Sequence, residues 1–277
     1  MTDLSLPLAH MLVAAGASTA ILGAVAALRP GPVARRSADL AGVSSLALAL
    51  VAWGGRWGAA GHLPVFGTYE SALSLTVAVL VAAVVARRLW PGEAGIWPAG
   101  GAVAAALMAH GLRFSPEAYA LTISERSWVV DVHAVVAWAA FGCLAANAGL
   151  ALRHVASRTP AGPVAERALS ASLSLGFALH SGMMASGSFY KFLLFGVAWS
   201  FDPIETLGIV AWLSYGTLLH MHLLGGWQGR RLAGWCLALF VVLAVSYRGI
   251  VYFPASSTYH IFDMDLRLHI GPGEPAR

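Results

Sequence analysis

The sequence predicts an all-α fold, a polytopic membrane helix bundle of about eight transmembrane helices. Three observations lead there. Hydrophobic residues make up 58% of the 277-residue chain and charged residues 11%, with a mean hydropathy of +0.71. Soluble domains carry about 25% charge, so this chain needs lipid around it. Eight apolar segments are long enough for a hydrocarbon layer of about 30 Å, which takes about 20 helical residues. Finally, no window alternates apolar and polar residues in strands of about ten residues, so the spans are helices and not a barrel.

The spans are expected near 7–28, 38–54, 70–87, 94–112, 130–152, 167–186, 204–225 and 231–252. The start, Met-Thr-Asp-Leu, has no basic n-region, so no cleaved signal peptide is expected. The second span is the shortest. Small residues in the first (Ala-Gly-Ala-Ser), the fourth (Ala-Gly-Gly-Ala) and the fifth (Gly-Cys-Leu-Ala-Ala-Asn-Ala-Gly) let helices pack closely. Cys143 and Cys236 fall inside apolar runs and read as small packing residues. The whole chain, 1–277, reads as a single integral membrane domain, with a flexible tail over about 263–277.

Orientation follows from the loops. Arg29, Arg35, Arg36, Arg87, Arg88, Arg153, Arg158, Arg167, Arg230 and Arg231 lie on one side, ten of the 17 Lys and Arg residues. The other side holds ten of the 13 acidic residues. The positive-inside rule makes the first side cytoplasmic and puts both termini outside. The net charge of +4 is then a property of cytoplasmic loops facing lipid and implies no nucleic acid. Longer connections, near 55–69, 113–129 and 187–203, gather on the outer side, which places function there.

Nine of the ten histidines, all but His154, avoid the cytoplasmic loops. Imidazole is the commonest metal ligand, and polar groups within spans are costly enough to suggest function. A lone intramembrane histidine also serves as a hydrogen-bonding residue between helices, and both readings stay open for each. His220 and His222, two apart, point to different sides of a helix and do not chelate one ion together. Zinc-hydrolase histidine motifs, a Ser-His-Asp arrangement, a phosphate loop and Gly-x-Gly-x-x-Gly are all absent. No Cys-x-x-Cys-His occurs, so the chain does not attach a c-type haem to itself. Almost no charge lies deep in the spans, which disfavours a transporter.

Between the sixth and seventh spans lies the external segment 187–206, Gly-Ser-Phe-Tyr-Lys-Phe-Leu-Leu-Phe-Gly-Val-Ala-Trp-Ser-Phe-Asp-Pro-Ile-Glu-Thr. Phe189, Tyr190, Phe192, Phe195, Trp199 and Phe201 exceed the one or two aromatics of an interfacial belt and suggest a flat apolar platform. Asp202 and Pro203 suit the N-cap and first turn of the seventh helix, with Glu205 just inside it. Capping alone accounts for all three.

This segment resembles the tryptophan-rich "WWD" hallmark of the CcsA/CcmC/CcmF cytochrome c assembly family, roughly Trp-Gly-x-x-Trp-Ser-Trp-Asp-Pro-Lys-Glu-Thr. Here the run Phe195 to Thr206 stands in its place. Gly61-His62-Leu63-Pro64 with Tyr69-Glu70-Ser71, Trp128 to His133, Trp212 to His220 with Gly226 to Arg231, and Tyr247-Arg248-Gly249 with Tyr259-His260 are similar to further family passages, in order. The match covers about residues 40–262 and is nearest the CcsA branch. Phe195 and Phe201 replace tryptophans, Tyr190 replaces another, and Ile204 stands where lysine is usual. Phenylalanine keeps a flat face but loses the indole N–H.

The resemblance implies a haem-handling protein of cytochrome c biogenesis in a bacterial inner membrane. It implies haem b presented at the external face for covalent attachment to apocytochrome c, with the chain a component of a cytochrome c haem lyase. It carries His133 and His260 over as external iron ligands and His220 as a membrane ligand. Trp199, Phe195, Phe201 and Asp202 become the platform, and a Ccs1/ResB-like membrane protein the partner. The second reading is a non-catalytic haem-b membrane subunit or anchor, passing electrons between the quinone pool and an external redox partner.

Overall fold

A computed structural model of the chain describes residues 5–117, 121, 125–157 and 162–249. They form eight helices: α1 (Ser5–Leu28), α2 (Pro32–Ala60), α3 (Gly67–Leu89), α4 (Ile96–Gly111), α5 (Trp128–Ala156), α6 (Pro163–Phe195), α7 (Pro203–Leu223) and α8 (Gly229–Gly249). Each overlaps one expected span. Among the described residues six of them are long and apolar enough to cross a membrane, α4 and α7 being the others. At 16 residues α4 rises only about 24 Å. Glu205, His220 and His222 lower the apolarity of α7. The architecture is a polytopic helical membrane bundle.

Helix boundaries follow local chemistry. Proline stands in the first turn of α2, α6 and α7, where its missing N–H costs nothing. Gly61 (φ +74) and Gly196 (φ +70) end α2 and α6 in the left-handed conformation that side chains resist. Both helices outrun the expected spans because charged residues at their ends are paired rather than expelled from the helix.

Contacts at both ends of the bundle fix the antiparallel order. At one end Arg87 Nε donates to Asp39 Oδ1 at 2.7 Å, Arg153 Nη1 to Glu93 Oε1 at 2.6 Å, and the Gly229 N–H to Glu166 Oε2 at 3.2 Å. These are the three acidic residues of the arginine-rich side, each satisfied by a different helix or turn. At the opposite end Arg56 Nε donates to Glu70 Oε1 at 2.8 Å, while Glu70 Oε2 accepts the Phe66 N–H at 3.1 Å. Arg56 also lies 5.6 Å from the centre of the Tyr69 ring. Both charged side chains are buried. The sequence reading put Arg56 in an outer loop; it belongs to the last turns of α2 because Glu70 neutralises it there.

The core has two parts. Ala9, Leu12, Ala49, Tyr69, Leu73 and Met108 join α1 to α4. Phe141, Leu144, Leu150, Leu169, Leu173, Tyr215 and Phe240 centre on α5 and reach α8. Small residues set the spacing: a Cβ at Gly142 would lie 2.5 Å from the Ala78 carbonyl oxygen, and one at Gly95 would lie 2.0 Å from that of Gly149. In lipid, such close backbone approach replaces hydrophobic driving force with dispersion. Asn147 adds polar glue, its Nδ2 donating to Leu169 O and Ser172 Oγ at 2.9 Å each. Both cysteines are free thiols, half-buried at 143 and buried at 236, as packing residues would be.

Removing one partner of a buried ion pair strands the other charge, at a cost of about 3–5 kcal/mol. Arg56→Met and Glu70→Gln are each expected to lower the thermal midpoint of the detergent-solubilised protein. The double variant should lose less than the two singles summed.

Candidate functional site

The start of α5, the end of α6 and the start of α7 build the site. Residues 187–195, expected in a loop, are the last turns of α6. Ser188 to Phe195 contains neither Gly nor Pro, so the helix continues to its Gly196 cap. The connection to α7 is only Gly196–Asp202. Phe189, Phe192 and Phe195 recur every third residue and are exposed, while Lys191 is buried.

The short connection is held from both sides. Asp202 is the N-cap of α7, its Oδ1 accepting the Glu205 N–H at 2.8 Å, as the sequence predicts. Glu205 Oε2 accepts the Ser200 N–H at 2.7 Å. The Lys191 ammonium donates to Glu205 and to the Ser200 hydroxyl. Phe201 sits between these anchors at φ +60, 75% exposed as a residue, its ring edge-on to Trp199 with centroids 6.4 Å apart. The Trp199 indole N–H is buried with no hydrogen-bond partner. Sequence reasoning missed Lys191. The signal was present, since it is the only basic residue in a segment with two carboxylates.

His133, in the second turn of α5, reaches the first residue of this segment. Its Nδ1–H donates to the Met183 carbonyl at 3.0 Å and lies 3.2 Å from Ser186 Oγ. A Cβ at Gly187 would meet His133 Cε1 at 2.8 Å, so the imidazole lies on bare backbone. Donation from Nδ1 leaves the lone pair on Nε2 and fixes the ring, as histidine ligands require.

The other histidines separate. His180 is fully buried between α6 and α7, with Nε2 3.3 Å from Gly208 O and Nδ1 unpartnered. His222 points inward, its Nδ1–H donating to Trp227 O at 2.7 Å and its Nε2 2.8 Å from Ser170 Oγ. His220 lies on the exposed side of α7. The two therefore face different ways, as their spacing predicts. His62 is tied to Leu63 O at 2.9 Å and stands 3.9 Å from Glu70. His260 and the tail over 263–277 lie outside the described residues. No group of three or more His, Cys, Asp or Glu able to hold a metal ion occurs among the described residues.

These groups suit a flat, largely apolar ligand with polar edges. Exposed rings offer faces, Trp199 a buried donor, and His133 an imidazole whose ring is fixed through Nδ1. Trp199 and Phe201 stand edge-on just before the Asp202 cap, Phe195 is exposed at the end of α6, His133 lies against Gly187 two turns earlier on that helix, and His220 lies on the far turns of α7.

Residues 44–254 match the family model described as cytochrome C assembly protein. Among characterised relatives, the cytochrome c biogenesis protein CcsA of Parasynechococcus marenigrum (strain WH8102) is 27% identical, over 89% of this chain and 88% of that protein. The CcsA of Synechococcus sp. (strain CC9311) is also 27% identical, over 70% of this chain and 78% of its own. Among solved structures, cytochrome c heme lyase CcmF superposes with a TM-score of 0.67 at 16% identity, over 98% of this chain. The chain spans about half of that protein, 51%, and the likeness is one of fold.

Loss of an N-cap carboxylate costs about 1 kcal/mol, whereas asparagine caps nearly as well as aspartate. Asp202→Ala is therefore expected to fray the start of α7 and expose the 196–202 turn to protease, with Asp202→Asn close to the parent.

Proposed function

Because the chain belongs to the cytochrome c assembly protein family, we propose that it handles haem during cytochrome c maturation and offers it to an apocytochrome c. The finer reading is haem b, presented at the external face of a bacterial inner membrane. The whole chain acts as one integral membrane domain, with 187–206 as its presenting segment.

One observation carries this reading: His133 is anchored through Nδ1 to the Met183 carbonyl, with its ring lying on Gly187, on the same helix that carries the exposed rings of Phe189, Phe192 and Phe195. His133 would hold the iron from one side, and His260 from the other. Phe195, Phe201 and Trp199 would cover the ring faces, and the Trp199 N–H, buried without a partner, would meet a propionate once its ring turned toward the ligand. Asp202 contributes by capping α7 and so fixing the turn. Haem supplies the vinyl groups. The thiols come from the Cys-x-x-Cys-His of the apocytochrome, since Cys143 and Cys236 are packed inside the bundle. The chain's own work is positioning, as one component of a haem lyase.

His220 supports a second, membrane-level site. An imidazole on the outer surface of a spanning helix is costly in lipid. A neighbouring membrane subunit of the Ccs1/ResB type would cover it and complete the coordination of haem in transit.

Three expectations test this reading. Purified protein should show the visible spectrum of bound haem, and His133→Ala and His260→Ala should each lower retention about tenfold or more. Gly187→Ala, which pushes the His133 ring, should alter that spectrum without removing a ligand. The control Gly182→Ala, whose Cβ would meet only Val136 Cγ1 at 3.4 Å, should not. Co-expression with a reporter apocytochrome should give covalent holocytochrome. Absence of haem from every preparation would sink the proposal. Haem without covalent product would return the electron-carrying subunit as the better reading.

A further inference from the structure

Ten residues of the presenting segment, Gly196 to Glu205, include no lysine or arginine. The charge of Glu205 is met instead from the preceding helix, by Lys191, one turn before the end of α6. Lys191 and Glu205 side chains are 8% and 7% exposed. Their pairing closes a loop of contacts: ammonium to Glu205, ammonium to the Ser200 hydroxyl, and the other Glu205 oxygen to the Ser200 N–H.

Phe201 follows Ser200. It is the one non-glycine residue with positive φ among the described residues. A bulky side chain in the left-handed region is strained and persists only where its surroundings over-determine it. Here the surroundings do. Ser200 is pinned on one flank, Asp202 caps α7 on the other, and Thr206 Oγ1 donates to the Phe201 carbonyl at 3.2 Å. The product of that constraint is an aromatic ring held outward, beside Trp199.

We infer that Lys191 is a positioning residue of the presenting segment: its ammonium, clamped between Ser200 and Glu205, holds the Gly196–Asp202 turn so that Phe201 projects outward beside Trp199. Without that cation Glu205 is an unpaired carboxylate in a buried place, relieved by moving to water. Ser200 moves with it, and Phe201 relaxes to negative φ. The inference deepens the proposed function, and rests on it only for the haem readout below.

The test uses the full-length protein in detergent, with Lys191→Met, Lys191→Arg and the pair Lys191→Met with Glu205→Gln. The haem-independent readout is the rate of chymotrypsin cleavage within 195–201, which follows the population of the opened turn. Lys191→Met is expected to raise it about tenfold or more, since it strands a buried charge. Lys191→Arg should stay within about threefold of the parent because the charge is kept. The paired variant should fall back toward the parent because no charge is stranded. In the same preparations Lys191→Met should shift the haem spectrum and depress covalent attachment, while its thermal midpoint stays within a few degrees of the parent because Glu205 is relieved by a local opening of the turn. Cleavage unchanged in Lys191→Met overturns the inference, as does a paired variant no better than the single one. Collapse of the thermal transition in Lys191→Met also overturns it, in favour of a purely structural pair. A parent protein without haem overturns the proposed function, and cleavage alone then decides the clamp.

Discussion

Everything in the bundle leans on α5 being narrow. From Ala140 to Ala151 every residue except Cys143 is buried, so this half of the helix has almost no lipid face. Alanine and glycine make that possible, because α3, α4, α6 and α8 all approach it within backbone distance or pack on its few large side chains. Apolar packing in lipid carries no hydrophobic bonus, so shape fit and a few satisfied polar groups must do the holding. Asn147 shows the economy of this: its two N–H bonds are spent on the backbone and side chain of α6 alone. With α5 and α6 locked in register, His133 arrives at Gly187 without any loop having to place it.

Charge is distributed on the same logic. The arginine-rich end is tied by Asp39, Glu93 and Glu166, which link neighbouring helices and turns. The other end carries two buried pairs, Arg56 with Glu70 and Lys191 with Glu205. The first fixes how α2 returns into α3; the second fixes how α6 turns into α7. Both lie where the chain reverses, and both stand beside residues that the family resemblance singles out.

Much of this was legible in the residues. Hydropathy located all eight helices, the Asp-Pro-Ile-Glu run announced the start of α7, and the two-residue spacing of His220 and His222 foretold their opposite directions. What was hidden depends on pairing in space. A lysine among phenylalanines looks like a loop residue until a carboxylate fourteen positions later is seen to neutralise it. Arg56 looked like a loop residue for the same reason. Glycine at 187 reads as a flexible joint, whereas its use is to leave room for a ring from another helix. The sixth helix outran its expected span because Lys191 is paired with Glu205 instead of being expelled from the helix, and neither Gly nor Pro interrupts Ser188 to Phe195. Residues 250–277, with His260 among them, lie beyond what the fold describes.

The length of α6 has a consequence for where chemistry can take place. Its 33 residues rise about 50 Å, against a hydrocarbon layer of about 30 Å. Hiding the whole rod by leaning it would take a tilt of more than about 50°, beyond the roughly 0–40° that membrane helices adopt. Part of the rod must therefore stand clear of the acyl chains. Ser170 meets His222 beside the turn into α8 at one end, and the aromatic turns lie at the other. Where that clear part carries the rings of Phe189, Phe192 and Phe195, a solute resting on them is reachable both from water and from the membrane at its edge.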